Sequence, residues 1–454
     1  MKYPLCTIGM LTASLSLVYA GDMDDRPNIL FILADDLGYA DLACYGNEFI
    51  QTPNIDCLAA TGVRFTHCYA GSAVSSPSRC TLMTGKHTGH SAIRDNFVLA
   101  GGIEGKKGQQ AIRRMHLQES DTTIAEVLRE AGYRTCIVNK WHLDGFNPNA
   151  TPLNHGFDEF YGWLVSTSYS NDPYYYPYYR FCNHELINIE ENANGAHSKH
   201  NTDLSTDEAI AFIRRNREHP FFLYLAYDAP HEPYNIDDTH WYADMPWEAY
   251  TQRYASLITH MDAAIGRILD ELDSLGLRDN TLVVFASDNG AARQAPRETL
   301  RCVGGLRGMK GQLYEGGLRV PLIINMPSCI AANEVDELVY FPDMMPTLAK
   351  IGGASDYMPT MIDGISLLPL LEEDSLPIGD RPLYWEFPGK QRAVRYGEWK
   401  AVSVRRGAPL ELYRLSIDPN ETTNLALLYP DVLDVMDSIM VRMHTPSPNF
   451  PENR

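Results

Sequence analysis

Five short apolar runs occur along the chain, at residues 28–33, 134–138, 220–226, 281–286 and 320–324. Runs this short, apolar at nearly every position, are typical of strands that are buried on both faces of a sheet. Between them, the spacing of apolar residues predicts helices over 123–131, 207–217 and 247–275. The alternation predicts an α/β fold with a large, mostly parallel central sheet and helices on both of its faces.

The pattern changes after about residue 375. Four short β-like segments follow at 383–387, 391–396, 399–404 and 410–415, and a helical pattern covers 431–443. Short strands that are close in sequence are typical of an antiparallel sheet. We therefore predict a large α/β domain over residues 21–375, which carries the candidate chemistry, and a C-terminal subdomain over 376–454 with a small antiparallel sheet and a helix.

The first 20 residues have the pattern of an export signal. Lys2 is followed by an apolar stretch at 8–17, and small residues precede a cleavage position after Ala20. An ordinary N-terminal helix is the alternative interpretation. No other stretch reaches the roughly 18 consecutive apolar residues of a membrane span. We therefore expect an exported protein, periplasmic or secreted, without a membrane span.

Composition narrows the classes of partner. The 454 residues include 38 Lys and Arg against 58 Asp and Glu, so the formal net charge is −20. A nucleic-acid surface needs clustered positive charge, so we expect no nucleic-acid partner, although a small basic pocket is compatible with this balance. The nine cysteines show no zinc-binding spacing. Because a chain of this size does not need disulfides, we interpret most of them as buried free thiols.

Chemically versatile side chains follow four of the predicted strands. They are Asp35, Asp36, Lys140, His142, His231, Asp288 and Asn289. In open α/β sheets, ligands bind beyond the carboxyl ends of the strands, so these residues are predicted to share one edge. The oxygen donors among them suit Ca²⁺ or Mg²⁺ better than zinc. An Asp-Asp pair alone could equally begin a helix, but a second oxygen-rich group after a distant strand favours a metal site.

The segment Ser75–Arg79 (Ser-Ser-Pro-Ser-Arg) has the features of a helix start. Pro77 suits the first turn of a helix, whose positive end would then lie at Ser75. Ser75 would thus be placed to carry a developing negative charge, with Arg79 one turn further on. Ordinary helix starts with this composition are common, so geometry alone does not decide between a structural and a catalytic serine.

The motifs together resemble the type I, formylglycine-dependent sulfatases of the alkaline phosphatase superfamily. Their signature of Cys or Ser, any residue, Pro, Ser and Arg, with a later Thr-Gly, is matched by Ser75–Arg79 and Thr84–Gly85. Further matches are 27–38, 52–56, Lys140–Leu143, 155–158, 306–310 and 315–317. There are two departures: Asn139 and Asp144 stand where the family usually has glycine.

The resemblance implies an alkaline-phosphatase-like fold and a sulfuric ester hydrolase. It implies that Ser75 is converted to formylglycine, whose hydrate is the nucleophile. The serine form of the motif implies a maturase of the anaerobic, radical type as a partner. The implied Ca²⁺ ligands are Asp35, Asp36, Asp288, Asn289 and the modified Ser75.

Catalytic roles are also implied by the resemblance, residue by residue. Arg79 and His142 would hold and deprotonate the hydrate. Lys140 and Lys310 would bind the sulfate oxygens. His231 would bind the ester or protonate the leaving oxygen.

Substrate identity is less constrained by the sequence. Tyrosines at 171–179 could stack on sugar faces or pack on one another, and 101–114 is expected to be a flexible rim loop, either merely solvated or in contact with an acidic glycan. The acidic charge favours a terminal sulfated sugar, with aryl sulfate as an accompanying substrate. The alternatives are a phosphomonoesterase or phosphonate hydrolase of the same fold, and a non-catalytic glycan-binding protein if Ser75 is unmodified.

Overall fold

A computed structural model describes residues 26–98, 100–107, 110–164, 174–372, 378–387, 391–405 and 407–451. The predicted export signal over 1–20, the start of the tyrosine-rich stretch and the predicted domain boundary after residue 375 lie outside these ranges. Within these ranges, every helix is too short or too polar to span a bilayer.

The described strands are numbered in chain order. They are β1 Asn28–Ala34, β2 Val63–Tyr69, β3 Ile103–Lys107, β4 Gln110–Arg114, β5 Arg134–Lys140, β6 Glu159–Trp163, β7 Tyr179–Cys182, β8 Glu185–Asn188, β9 Phe221–Ala226, β10 Thr281–Ser287, β11 Arg319–Asn325, β12 Asn333–Val335, β13 Val339–Tyr340, β14 Leu383–Phe387, β15 Gln391–Tyr396, β16 Trp399–Ser403 and β17 Glu411–Arg414.

The α-helices are numbered in the same way. They are α1 Pro53–Ala60, α2 Ser75–Thr84, α3 Ile124–Glu130, α4 Asn201–Asn216, α5 Ala249–Ser274, α6 Arg297–Leu300, α7 Glu315–Leu318, α8 Met344–Ile351, α9 Leu368–Leu371 and α10 Pro430–Arg442.

The central sheet has 11 strands in the order β12-β2-β11-β10-β1-β9-β5-β6-β7-β8, with β13 beside β2. Its middle five strands, from β10 to β6, are parallel. The sheet is therefore mixed and mostly parallel, which confirms the predicted fold class. Strand β11, at one of the predicted apolar runs, runs antiparallel to both of its neighbours, β10 and β2. An apolar run indicates burial on both faces but carries no information about strand direction.

Strand β1 shows why the sheet is covered on both sides. All seven of its residues are buried. Leu30 and Ile32 pack in a cluster with α5 residues, whereas Phe31 and Leu33 pack in a second cluster with residues of α3 and α8. Successive side chains of a strand point to opposite faces, so an uninterrupted apolar strand needs helices on both sides. The predicted two-sided covering is confirmed.

The C-terminal part forms the predicted small sheet. Strands β14, β15, β16 and β17 pair in this order, all antiparallel. Helix α10 packs its Met436, Ile439 and Met440 against residues of this sheet. Their spacing of three and four residues places them on one helix face.

Two local predictions were wrong. Helix α4 begins at Asn201 rather than at residue 207. The prediction began too late because the first turn of the helix is largely polar, although Asn201 and Thr202 are buried. The His200 ring caps the helix by accepting a hydrogen bond from the Thr202 N–H. Residues 101–114 are not a loop throughout: β3 and β4 pair as an antiparallel hairpin. The eight cysteines of the described ranges are all free thiols, but only four of them, Cys68, Cys80, Cys136 and Cys302, are buried.

Candidate active site

The carboxyl ends of the parallel strands bring the acidic residues together. Ala34 at the end of β1 lies opposite Ser287 at the end of β10, and the Asp288 N–H donates to the Ala34 carbonyl over 3.0 Å. Asp36 has a left-handed backbone with φ of 65°, and its N–H donates to Oδ1 of Asp288 over 3.1 Å. Asp35, Asp36, Asp288 and Asn289 are all buried. The strand register thus places three carboxylates and an amide in one spot.

Ser75 is the first residue of α2 and faces this acidic group. Val74 before it is extended, so the helix begins abruptly at the serine. The Oγ atom of Ser75 lies 3.3 Å from Oδ1 of Asp35 and 3.3 Å from Oδ1 of Asn289. All ten residues of α2 are buried. The positive end of this buried helix therefore favours negative charge at Ser75.

Each carboxylate of the cluster has at least one cationic partner. Lys140 pairs with Asp35, Lys310 lies 2.7 Å from Oδ2 of Asp36, and Arg79 donates from two nitrogens to Oδ2 of Asp288 over 2.9 and 3.0 Å. Three negative and three positive charges sum to zero. This pairing is what allows so many charges to be buried together, since an unpaired buried charge is strongly unfavourable.

The pairing shifts the titration of the buried groups. Burial alone would raise the pKa of the Asp35 carboxyl, but the nearby positive charges, first that of Lys140, together outweigh burial, and the pKa falls to about 2. The pKa of Asp36 is likewise lowered, because the nearby positive charges, first that of Lys310, together outweigh burial. Burial would lower the pKa of Lys310, yet its acidic neighbours, first Asp36, raise it. The Asp35, Asp36 and Lys310 side chains therefore stay charged at neutral pH.

Two histidines border the cluster. Burial, together with the positive charges of Arg114 and Lys140, lowers the pKa of His142 well below its usual 6.5, so the ring is neutral. His142 has a φ of 60°, and its carbonyl accepts a hydrogen bond from Ser76 Oγ over 2.8 Å. His231 Nδ1 lies 2.5 Å from the carbonyl of Glu232, which can only accept, so Nδ1 carries a proton.

The loop that carries Lys310 is held against the Ser75 helix. The Lys310 N–H donates to the Ala291 carbonyl and the Gly311 N–H to the Ala73 carbonyl, over 2.9 and 2.8 Å. A β-carbon on Gly317 would lie 2.0 Å from the Gln312 carbonyl oxygen. Only glycine fits this close approach, which explains the glycine pair after Glu315.

The chain matches known sulfatases over most of its length. The profile of the sulfatase family matches residues 27–354, and that of the C-terminal part of N-sulphoglucosamine sulphohydrolase matches 309–445. The N-acetylgalactosamine-6-sulfatase of Homo sapiens is 34% identical over 419 residues, which cover 86% of this chain and 74% of the relative. The chain belongs to the sulfatase family. It is therefore an enzyme that hydrolyses sulfate esters.

Two further comparisons agree. The sulfatase is 32% identical to arylsulfatase A of Homo sapiens over 479 residues, 91% of this chain and 87% of that protein. Its structure superposes on that of Ps i-CgsB in complex with k-i-k-neocarrahexaose with a TM-score of 0.79 and 28% identity, covering 94% of this chain and 95% of that one. The resemblance inferred from the motifs is confirmed at the level of family and fold.

The structure brings together all the site residues that the sequence of this sulfatase predicts. Among them, Asp35, Asp36 and His231 offer ligand atoms within 4.8 Å of one another. The departure at Asn139 has a backbone reason: φ is 81°, a conformation that glycine adopts readily and asparagine tolerates. The Asn139 side chain also donates to the Ala226 carbonyl over 3.0 Å.

Sequence reasoning missed the support of His231. Tyr174 donates to Oδ1 of the buried Asp228 over 3.0 Å, and its ring centre lies 5.4 Å from that of His231. Tyr175 donates to the carbonyls of Asp228 and His231 over 3.0 and 2.8 Å. Part of the tyrosine-rich stretch thus lies beside the site. The signal available was Asp228 near the end of β9, three residues before His231.

Proposed function

We propose that this sulfatase removes O-sulfate from a sulfated sugar or the terminus of a sulfated glycan, with a formylglycine made from Ser75 as nucleophile and with a bound calcium ion. The position of Ser75 carries the proposal. Its Oγ lies 3.3 Å from the oxygens of Asp35 and Asn289 and 3.5 Å from Nζ of Lys140. A serine that is needed only to begin a helix has no reason to lie among buried charges of both signs.

The donor atoms suit a hard divalent cation. Asp35, Asp36 and Asp288 supply carboxylate oxygens and Asn289 an amide oxygen, and none of these four residues is more than 1% exposed. Calcium prefers such oxygen ligands in flexible arrangements. A cation held there would supply positive charge next to the nucleophile. We infer that these four residues and the modified Ser75 are its ligands.

The surroundings also suit an oxidised serine side chain. As an aldehyde hydrate, the residue has two oxygens on one carbon, so one can bond to sulfur while the other later expels sulfate. Arg79, held by Asp288, would orient one hydroxyl group. The neutral ring of His142 would accept its proton, because its lowered pKa keeps it unprotonated at neutral pH.

The cations of the cluster and His231 would act on the substrate. Lys140 and Lys310 both reach carboxylates next to Ser75, so their ammonium groups lie where sulfate oxygens would be bound. On His231, Nδ1 is engaged by the Glu232 carbonyl, which leaves Nε2 for proton transfer. Nε2 lies 3.6 Å from Asp36 Oδ2. We therefore assign His231 to protonation of the leaving sugar oxygen.

The relatives support a sugar sulfate as the substrate. One relative is named for sulfate at position 6 of N-acetylgalactosamine, and one superposed structure holds a neocarrahexaose. The ring of Tyr174 beside His231 would offer an apolar face to a sugar. Aryl sulfates are expected to react too, since the bond broken is at sulfur.

Export and maturation complete the proposal. The leader pattern over residues 1–20 supports transport to the periplasm or the exterior. Serine rather than cysteine at position 75 supports a radical-type, formylglycine-generating maturase as a partner. Protein made without that maturase is expected to fold but to lack turnover.

Matched substrates test the proposal. Initial rates are measured on 4-nitrophenyl sulfate, 4-nitrophenyl phosphate and N-acetylgalactosamine 6-sulfate. We expect the sulfate esters to react faster, and we expect Ser75→Ala to abolish turnover while circular dichroism is unchanged. Ser438→Ala, on the exposed side of α10, is the matched control. Faster phosphate turnover would indicate a phosphomonoesterase instead. If protein in which Ser75 has been converted to formylglycine binds the sugar but does not turn it over, the protein is a glycan-binding protein.

A further inference from the structure

Arg114 is a buried arginine near the site that the proposed mechanism does not use. It is the last residue of β4, in the hairpin that the sequence suggested as a rim loop, and it is 4% exposed. Its guanidinium carbon lies 5.4 Å from the ring centre of Phe97 and 5.2 Å from that of Phe146. The aromatic contacts shield the positive charge from water but provide no hydrogen-bond acceptor in the ring planes.

Two nitrogens of the Arg114 guanidinium have no acceptor among the described residues. They are the buried Nε and Nη1 atoms. Arg79 and Arg94, also buried, each pair with a carboxylate. A buried donor without a partner costs about 1–3 kcal/mol, and more when it is charged. Such a donor needs a partner from outside the protein, which is either water or a bound ligand.

Asp144 supplies a matching buried acceptor. It is 4% exposed, and its Oδ2 accepts from the Phe146 N–H over 3.1 Å. Its Oδ1 is buried and, within the described part of the chain, has no partner. Burial raises the pKa of this carboxyl to about 6, although the charge of Arg114 acts in the opposite direction. The two side chains are thus close enough to interact electrostatically, yet they form no ion pair.

This pair borders the reacting groups. Asp144 follows His142 by two residues, and after burial the charge of Arg114 contributes most to lowering the His142 pKa. On the other side, the Ser76 N–H donates to Oδ1 of Asn96 over 3.0 Å, next to Phe97. Arg114 is therefore close enough to His142 to affect its pKa, and its Phe97 cover follows the residue that binds the Ser76 N–H.

The backbone holds the aromatic cover in place. Phe146 has a φ of 69°, which is rare for a bulky residue and persists only where the surroundings enforce it. Its ring lies against Gly105 of β3, where a β-carbon would come within 2.7 Å of the ring. Hairpin and loop are therefore fitted to each other around Arg114.

We propose that Arg114 and Asp144 form a subsite for a second oxyanion on the sugar, a sulfate or a carboxylate, next to the sulfate that is hydrolysed. This inference rests on the proposed function. The planar guanidinium fork pairs with either oxyanion through two parallel hydrogen bonds, and its desolvation strengthens the pairing. Asp144 would accept a hydrogen bond from a neighbouring sugar hydroxyl. The preferred substrate would then carry two negative groups on adjacent positions or adjacent sugars.

The test compares the selectivity of two arginine variants. The ratio of kcat/KM for N-acetylgalactosamine 4,6-disulfate to that for the 6-sulfate is measured, and likewise the ratio for a 6-sulfated disaccharide with and without a uronic acid. The variant is Arg114→Gln. The matched control is Arg113→Gln on the exposed side of the same strand, where Arg113 contacts the Gly101 and Gly102 carbonyls and Glu104.

We expect Arg114→Gln to lower one of these two ratios about tenfold or more, as loss of a charged hydrogen bond implies. The substrate pair whose kcat/KM ratio falls shows whether the second group is a sulfate or a carboxylate. Arg113→Gln should leave both ratios unchanged. Unchanged ratios in Arg114→Gln, or equal losses on singly and doubly charged substrates, would overturn the subsite.

A binding measurement separates this inference from the proposed function. If wild-type protein hydrolyses no sugar sulfate, the function has failed, and calorimetry on Ser75→Ala protein then tests the subsite directly. The disulfate or the uronic acid disaccharide should bind more weakly when Arg114→Gln is added to Ser75→Ala, whereas Arg113→Gln has no effect. Equal affinity in all three proteins, or no binding by any of them, would contradict the proposal.

Discussion

Ser75 Oγ lies 3.3 Å from Oδ1 of Asp35, although 40 residues separate the two in the chain. They meet because β1 ends at the sheet edge where α2 begins. The contact places a hydroxyl group at the positive end of a helix and within a buried set of carboxylates. The residues at this one point would bind the metal ion, hold the nucleophile and balance the buried charges. Together these three functions account for the proposed reaction.

Calcium is expected to stabilise the folded protein. A ligand that binds only the native state at 1,000 times its Kd adds about 4 kcal/mol to the free energy of unfolding. Calcium added to metal-stripped protein should therefore raise Tm by several degrees in scanning calorimetry, and a chelator should reverse the shift. Asp35→Asn should lose the response, whereas exposed Asp238→Asn should keep it. If calcium leaves Tm unchanged, or if magnesium raises Tm more than calcium does, the calcium assignment is contradicted.

Lys310 is expected to act mainly on the reaction rate. Removing one preorganised charge from an active site typically costs about 10²–10³ in rate, so Lys310→Ala should lower kcat/KM on 4-nitrophenyl sulfate by that factor. Its acidic neighbours outweigh burial and raise its pKa, so it should not titrate near neutral pH. Lys199→Ala, on a partly exposed lysine, is the control. A Lys310→Ala protein with more than a third of wild-type kcat/KM would remove Lys310 from the site.

Asp41 should make stability depend on pH. It accepts from the Gly38 N–H and the Tyr254 hydroxyl over 2.7 and 2.6 Å, and burial raises its pKa from 3.8 to about 7. Between these pH values the folded state binds a proton that the unfolded state has released, so this contribution to stability falls as pH rises and levels off above pH 7.

Asp41→Asn mimics the protonated carboxyl and should remove this dependence. Relative to wild type, its free energy of unfolding should increase from pH 4 to pH 7, by about 1–3 kcal/mol in total. Urea unfolding at several pH values measures the difference. A difference between the two proteins that is constant over this range would show that Asp41 does not titrate there.

We expect the ion pairs of Lys400 to connect the C-terminal sheet to the segment around Glu315, which follows Lys310 in the chain. It is fully buried on β16 and lies 2.9 Å from Glu315 and 3.0 Å from Glu421. Lys400→Met would leave two buried carboxylates together, which should cost about 3–5 kcal/mol in urea unfolding. Exposed Lys350→Met should cost little. Adding Glu421→Gln to Lys400→Met should recover part of the loss; additive losses would show that the pair is not coupled.

The strands that could be predicted are those whose sequence pattern is determined mainly by one factor, burial on both faces of the sheet. Strands β1 and β10 are uninterrupted apolar runs, and their ends supply Asp35 and Asp288. Strand β2 was missed because its sequence, Val63–Tyr69, mixes polar and apolar residues and its burial is partial. The direction of β11 depends on its neighbours, which a local pattern does not specify.

The site residues likewise divide into those that the sequence predicts and those that it does not. Residues in ordered motifs, such as Ser75, were found, whereas Arg114 was expected only to lie in a flexible rim loop. Arg113 and Arg114 are adjacent on β4, so strand geometry sends one outward and the other inward. The sequence has the same residue at both positions, and only the packing of Phe97 and Phe146 decides which one is buried.

Mass spectrometry of the Ser75 peptide tests the central claim most directly. Trypsin releases residues 65–79, which end at Arg79, from protein whose sulfatase activity has been measured. We predict a peptide lighter than the encoded one by two hydrogen atoms, with fragment ions that place the loss at Ser75, in proportion to activity. A fully active preparation in which Ser75 is unmodified would contradict the account.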